Sequence, residues 1–229
     1  EKDVGKLSIW DVDNDHWGNI LDGCGGSPVF TPDGKLLAVN QEKKEICIWS
    51  DLSSDPQRTQ LLEEVGGANR GGDIVVTSSG VYQTTHLYDG NNFALFDIFS
   101  ENTKPKYVLP ETLEWVVFSP GGNFYVARNI NGTAELSVSR LSSQTILKDF
   151  GYYIIERDFA FSFDDKLFAI MQYDDINPAK IQIYNTSNWQ LVTEIDPIES
   201  MDRFAFSPDG HYFVMTGSSK TYFWSVNGL

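Results

Sequence analysis

Short apolar runs recur in pairs along this chain, and each pair flanks a cluster of turn-forming residues. Residues 159–161 and 167–170 form one such pair, and residues 204–206 and 212–215 form another. Two short apolar runs around a turn predict a β-hairpin. The runs do not alternate cleanly with polar residues, so we expect both faces of these strands to be buried.

The turn cluster is a five-residue phrase whose five copies begin at residues 30, 76, 118, 161 and 206, at intervals of 42 to 46 residues. Its full form is Phe206-Ser207-Pro208-Asp209-Gly210. Pro presets φ, Asp caps its own backbone, and Gly takes a positive φ. We therefore expect positive φ at Gly34 and Gly210, and a cost of about 1 kcal/mol or more for Gly210→Val. Gly121→Ala is expected to cost less, because Gly122 beside it can take the strained position.

An alternating strand that ends in an aromatic residue recurs between the hairpins. It ends at Trp10, Trp49, Phe96, Tyr184 and Trp224, with a weaker copy near Ser139. A polar turn and a fourth strand follow most copies. The pattern predicts 21 strands: two in an opening partial unit, four in each of four full units, and three in the last. A fixed period of this size over the whole chain predicts a repeat architecture.

The phrase and the strand ending in Trp10-Asp11 together resemble the WD-repeat (WD40-like) β-propeller family over residues 6–226. The resemblance implies an all-β fold, a β-propeller of four-stranded antiparallel blades with about five recognisable blades, within a closed ring or a larger six- or seven-bladed one. The copies are degenerate: only Trp10-Asp11 keeps the Trp-Asp pair, and none keeps the Gly-His dipeptide. The family's Asp-His-Ser-Trp hydrogen-bond tetrad is therefore not expected.

We expect one domain over residues 1–229. It comprises a partial blade and five repeats, at approximately residues 1–22, 23–64, 65–109, 110–149, 150–196 and 197–229. A closed ring of five four-stranded blades needs about 20 strands. The sequence predicts more strands than that. We therefore expect that these residues are not an autonomous five-bladed ring, and that they belong to a larger propeller, a multidomain chain or a complex.

The formal net charge of −15 disfavours nucleic acid, because an acidic surface repels phosphates. No apolar stretch approaches the length of a membrane span, so we expect no membrane association and a cytoplasmic location, with a removed signal peptide left open. The 2 cysteines do not predict a disulfide framework. Cys47 falls in an apolar strand and is expected to be a small buried apolar residue.

Few patterns suggest chemistry. Asp11, Asp13 and Asp15 have the spacing of a calcium loop, but the loop's glycine and final acid are missing, so we favour a solvated acidic turn and no metal. No Ser-His-Asp, paired-His or Cys-His arrangement emerges, and no cofactor is expected. The glycine-rich segment at residues 66–72 is a mobile loop or a binding loop that presents Arg70.

The predicted function is a non-catalytic protein–protein interaction scaffold that binds a protein or peptide partner on its loop face and central mouth. Aromatic and arginine residues are enriched at interface hot spots. The candidate residues are Arg70, His86, Tyr88, Trp115, Arg128, Tyr153, Arg157, Asp158, Tyr173 and Arg203.

Other interpretations remain open. Trp115 is either an anchor for a partner or a filler between blades, and the charged residues of the mouth could simply pair with each other. A propeller enzyme, a hydrolase or lyase, would use axial carboxylates among Asp73, Glu114, Asp158 and Asp202. A third possibility is a purely structural domain of a multidomain protein.

Overall fold

The computed structural model describes residues 5–11, 15–31, 33–40, 45–50, 52, 58–62, 74–78, 80–86, 93–100, 104–110, 113–129, 136–151, 159–172, 180–196 and 201–226. All regular elements among them are β-strands, and their number, 21, is the number predicted. No helix in this part of the chain could cross a membrane. Two compact units are present, residues 1–111 and residues 112–229.

The first unit contains a two-stranded sheet and two four-stranded sheets. The two-stranded sheet pairs β1 (Lys6–Asp11) with β2 (His16–Asp22). The next sheet consists of β3 (Gly26–Phe30), β4 (Leu36–Asn40), β5 (Glu45–Trp49) and β6 (Arg58–Leu62). The third consists of β7 (Ile74–Thr77), β8 (Gly80–His86), β9 (Phe93–Asp97) and β10 (Tyr107–Val108).

The second unit contains two four-stranded sheets and one three-stranded sheet. The first consists of β11 (Leu113–Phe118), β12 (Phe124–Asn129), β13 (Leu136–Arg140) and β14 (Ile146–Asp149). The second consists of β15 (Phe159–Phe161), β16 (Leu167–Gln172), β17 (Lys180–Asn185) and β18 (Gln190–Ile195). The last consists of β19 (Met201–Phe206), β20 (Tyr212–Gly217) and β21 (Thr221–Ser225).

In every four-stranded sheet, the strands that follow one another in sequence are hydrogen-bonded and antiparallel. Such a succession of up-and-down sheets of three or four strands is the blade pattern of a β-propeller. The predicted fold class, an all-β β-propeller with five blades, is therefore confirmed. Each sheet lies within one of the predicted repeats, while the single domain and the closure of the ring stay predictions.

Apolar side chains fill the spaces between consecutive blades within each unit. Strand β4 is buried along its whole length, as expected for a strand with both faces covered. In the second unit, Phe124, Val126 and Leu136 of one blade pack against Phe168 and Ile170 of the next. A second cluster joins that blade to the last one through Ile181, Ile183, Phe213 and Met215. The blades are thus held face to face by apolar burial.

The two cysteines form a disulfide bond between Cys24 and Cys47, with their Cα atoms 6.1 Å apart. The expectation that Cys47 is buried is confirmed, because both cysteines are inaccessible to solvent. The expectation that it is only a small apolar residue was wrong. The reason is positional: Cys24 lies in the short connection between β2 and β3, which brings it into the cluster that contains the middle of β5. Sequence spacing alone does not reveal this approach.

Candidate partner-binding surface

The repeated phrases all lie at one end of their blades, where the first strand turns into the second, and we call this the turn end. In three blades the phrase closes on itself. Thr31, Ser162 and Ser207 each donate a hydroxyl hydrogen bond to the aspartate two residues later, over 2.5 to 2.8 Å. The same hydroxyls accept a backbone N–H from the start of the second strand, at 3.0 Å or less. The polar groups of these three turns are therefore satisfied within their own blades.

The fifth position of the phrase has a positive φ in every copy. The values are +81° at Gly34, +149° at Gly80, +75° at Gly122 and +73° at Gly210. The prediction for Gly34 and Gly210 is confirmed. The fourth copy has Asp165 at this position, with φ +57°. Aspartate tolerates the left-handed region better than most residues, because its short side chain can hydrogen-bond locally.

Asp165 uses its side chain to reach the neighbouring blade. Its carboxylate accepts hydrogen bonds from Ser119 Oγ at 2.7 Å, from the Gly121 amide at 2.8 Å, and from both the amide and the side chain of Asn123. The residue is only 2% exposed. Ser119 has no aspartate two residues later, since Gly121 occupies that position. Thr77 lacks one as well, and its hydroxyl donates to the Gly80 carbonyl oxygen instead. Asp165 supplies from the next blade the carboxylate that three of the other turns supply themselves.

This contact argues against the expected ranking of the glycine substitutions. A Cβ atom at Gly121 would collide with the Asp165 carboxylate, whereas a Cβ at Gly210 meets nothing within 4 Å. Gly122 does take the positive φ, as expected. The expectation that Gly121→Ala costs less considered only backbone strain. The structure shows that Gly121 is required by space, not by conformation.

Three aspartates of the turn end, Asp33, Asp164 and Asp209, have lowered pKa values. Hydrogen bonds from Lys35 and Thr31 lower the pKa of Asp33, and hydrogen bonds from Ser207 and the His211 amide lower that of Asp209. Burial opposes ionisation of Asp164, but bonds from Lys166 and Ser162 outweigh it and lower its pKa as well. Lys35 and Lys166 also form exposed ion pairs with these aspartates. Each of these three turns therefore carries its own hydrogen-bonded aspartate.

The opposite end of the blades, which we call the loop end, carries the described members of the predicted binding face. His86 ends β8, Trp115 and Arg128 are paired on β11 and β12, and Arg203 is paired with Thr216. Arg128 is half-buried and Arg203 is exposed. The Arg203 carbonyl accepts a hydrogen bond from the Thr216 hydroxyl. For His86 and Trp115 the backbone alone is described, so the role predicted for Trp115 stays a prediction.

Six other predicted binding residues lie outside the described part of the chain: Arg70, Tyr88, Tyr153, Arg157, Asp158 and Tyr173. Asp73, one of the alternative axial acids, also lies outside it, while Glu114 and Asp202 lie on β11 and β19. Residues 12–14 of the acidic turn are likewise not described. Among the described residues, no group of three or more His, Cys, Asp or Glu could hold a metal ion.

An open cleft of about 610 Å³ lies beside the two-stranded sheet, and sequence analysis did not predict it. Its lining combines apolar Ile9 and Leu52 with polar Asp11, His16 and Asn19. A β-bulge opposite Ile9 changes the register of β1 and β2 here. The sequence signal was the glycine at position 18, a residue type that often marks a bulge inside a strand. Asp11 at the end of β1 places the cleft at the turn end, away from the predicted face.

Comparison with known proteins supports the fold and no more. No protein-family model and no curated protein sequence matches the chain. One chain of the crystal structure of the mitotic checkpoint complex is similar, with a TM-score of 0.59 and 17% identity over 98% of this chain and 69% of that chain. One chain of Kuenenia stuttgartiensis hydrazine synthase has a TM-score of 0.59 and 13% identity, over 97% of this chain and 71% of that chain. At such identities the likeness shows a shared propeller fold.

Proposed function

We propose that the chain is a non-catalytic, WD-repeat-like interaction propeller that binds a protein or peptide partner at its loop end and central mouth. The contrast between the two blade ends supports this proposal. Three turns at the turn end satisfy their polar groups within their own blades, whereas the sequence places the candidate arginine and aromatic residues at the loop end. Side chains of these types supply most interface hot spots, because they bury large areas and still hydrogen-bond.

The chemistry of the partner follows from charge. The chain carries 32 acidic and 17 basic side chains. A protein or peptide segment with basic residues would be attracted to such a surface, whereas a nucleic acid would be repelled. Because arginines occur at the loop end itself, the partner segment is expected to combine basic residues with an acidic or aromatic contact. No cofactor or metal is needed for this function.

The test is a titration of wild type and two tryptophan variants with a peptide selected from a random library on immobilised wild type. Trp115→Ala is expected to weaken binding by roughly 30-fold, the equivalent of about 2 kcal/mol. Trp17→Ala is the matched control, because Trp17 is 66% exposed and lies at the turn end. It should leave the affinity unchanged. A melting curve for each variant separates loss of contact from loss of fold.

Two outcomes of this titration would contradict the proposal. If Trp115→Ala lowers the melting temperature and leaves the affinity unchanged, Trp115 fills a gap between blades. If the Trp17 variant loses affinity instead, the partner binds at the turn end.

Similarity to a hydrazine synthase chain means that the fold alone does not decide between binding and catalysis. Turnover of simple esters or glycosides that is lost in Glu114→Gln or Asp202→Asn would replace the proposal with the enzyme interpretation.

A further inference from the structure

We propose that the Cys24–Cys47 bond is a redox-sensitive latch that holds sheet β1–β2 against blade β3–β6, and that the protein matures in an oxidising compartment. These are the only 2 cysteines of the chain, and the bond uses both. Their Cα separation of 6.1 Å lies in the range of about 4.4–6.8 Å that a disulfide spans. Such bonds persist in oxidising compartments and are rare in the cytosol.

The position of the bond makes it a latch. Cys24 lies in the connection between β2 and β3, and Cys47 lies in the middle of β5. Both belong to the cluster in which Leu21 of β2 packs against Leu36 and Trp49 of the blade. A sheet of two strands is marginally stable by itself. Sheet β1–β2 therefore depends on what fastens it to its neighbour.

Two further contacts converge on the same connection. The side-chain amide of Asn40 donates a hydrogen bond to the carbonyl oxygen of Gly23 at 2.5 Å. Gly5 and Gly25 approach so closely that a Cβ at either would lie within 2.7 Å of the other's Cα. The chain entering β1 thus crosses the chain entering β3 beside the disulfide. These contacts fix the geometry of the connection, and the disulfide prevents it from opening.

The other face of sheet β1–β2 contributes little to its attachment. Trp10 and Trp17 meet edge to face, with ring centroids 5.0 Å apart, yet they are 42% and 66% exposed. Ile20 on the same face is 63% exposed. The sheet is therefore held mainly through its inner face, where Leu7 and Ile9 pack against the cluster that contains the disulfide. After reduction, this packing and the contacts at Gly23 and Gly25 would still join the sheet to the blade.

Burial controls the chemistry of the latch. Exchange requires a thiolate to attack one sulfur, and both cysteines have no solvent exposure. Reduction must therefore wait until sheet β1–β2 opens locally. When the bond forms, the two thiols lose two protons and two electrons. A disulfide oxidant such as oxidised glutathione accepts them, and its own S–S bond breaks to give two thiols.

The first experiment measures the redox state directly. The full chain is equilibrated with glutathione mixtures that run from mostly reduced to mostly oxidised. It is then unfolded, alkylated without reductant, and weighed by mass spectrometry. We expect no alkylated cysteine in the oxidised mixtures. Two alkylated cysteines in the most oxidised mixture would overturn the proposal.

The second experiment tests the latch by hydrogen exchange in the oxidised and reduced wild type and in the Cys24→Ala/Cys47→Ala variant. Reduced protein and variant should both lose protection in sheet β1–β2, while β15–β18 stays protected. Their melting temperatures should fall by roughly 10 °C. Unchanged exchange in β1–β2, or an equal loss of protection in both regions, would show that the bond is no latch. Because the reduced wild type needs no mutation, failure of the variant to fold leaves the test intact. Neither outcome depends on partner binding.

Discussion

The joint between sheet β1–β2 and blade β3–β6 contains a covalent bond, whereas the joint between blades β11–β14 and β15–β18 depends on one buried carboxylate. The disulfide joins Cys24 to Cys47 inside an apolar cluster. The carboxylate of Asp165 instead accepts four hydrogen bonds from three residues of the preceding blade. Every blade of a propeller must be attached to its neighbour. In this chain the attachment is a disulfide at one joint and a hydrogen-bonded carboxylate at another.

The two solutions also differ in what they require from their surroundings. A disulfide needs an oxidant and is lost in a reducing compartment. A buried carboxylate needs every donor in place, because an unsatisfied buried group costs about 1–3 kcal/mol. The first joint therefore responds to redox conditions and the second to substitution. We expect that each can be broken without disturbing the other, because the contacts described for the two joints share no residue.

The largest effect on the free energy of unfolding is expected from substitutions at Asp165 and Gly121, the two residues of this joint that depart from the repeated phrase. Asp165→Gly removes the carboxylate and should cost about 3 kcal/mol, because Ser119 Oγ and the Gly121 amide lose their acceptor. Gly121→Asp alone should cost at least as much, since its side chain would meet the Asp165 carboxylate. The double variant restores the ordinary phrase and should cost clearly less than either single variant.

The measurement is the free energy of unfolding of all four proteins in denaturant, which forms a double-mutant cycle. We expect a coupling energy of about 2 kcal/mol or more in favour of the pair. Additive costs would mean that Asp165 does not replace a missing aspartate in the neighbouring turn. Gly121→Ala serves as the steric control, because it introduces the collision without a new charge.

A smaller effect is expected where a glycine is required by conformation alone. Gly210→Ala should cost about 1 kcal/mol, because φ is +73° and the added Cβ meets nothing within 4 Å. Gly210→Asn is the matched control and should cost less, since asparagine tolerates this region. Thermal unfolding of both variants decides the point. Equal costs would indicate that φ is not what selects glycine here.

The sequence predicted the blades well, because the repeats have a regular period and recurring turn residues. The phrase located the first two strands, and the terminal aromatic residue located the third. The role of Asp165 could have been noticed from the sequence. The fourth copy of the phrase lacks the glycine of the fifth position, and the third copy lacks the aspartate of the fourth position. These two departures compensate each other only because the two blades stack, and local sequence patterns do not show how blades stack. For the same reason, the sequence did not predict the disulfide between Cys24 and Cys47.

The predicted binding residues are a different case. They were selected by residue type and by their position relative to the repeated phrase. That position predicts which end of a strand a residue occupies, and Trp115, Arg128 and Arg203 do lie at the loop end. It does not predict how the segments between strands are arranged, because they lack a periodic pattern.

The smallest effect is expected at acid pH, at the self-contained turns. Asp33, Asp164 and Asp209 have pKa values below the ordinary 3.8, mainly through their hydrogen bonds. A lowered pKa in the folded state contributes stability above the unfolded pKa, and that contribution is lost as pH falls through the folded value. The melting temperatures of wild type and Asp209→Asn should therefore differ at pH 6 and converge as the pH falls below the ordinary pKa of 3.8. A difference that does not change with pH would contradict the assignment.

The Asp165 contact also means that the repeats are not interchangeable modules. Ser119 lies on one blade and its acceptor on the next, so the two blades must be adjacent and in this order. A shuffled chain in which another repeat followed residues 110–149 would have a well-formed turn there, yet Ser119 and Gly121 would face no carboxylate. Small departures from a consensus can thus encode which neighbour a repeat requires, and a designer who corrected Asp165 to glycine alone would erase that information.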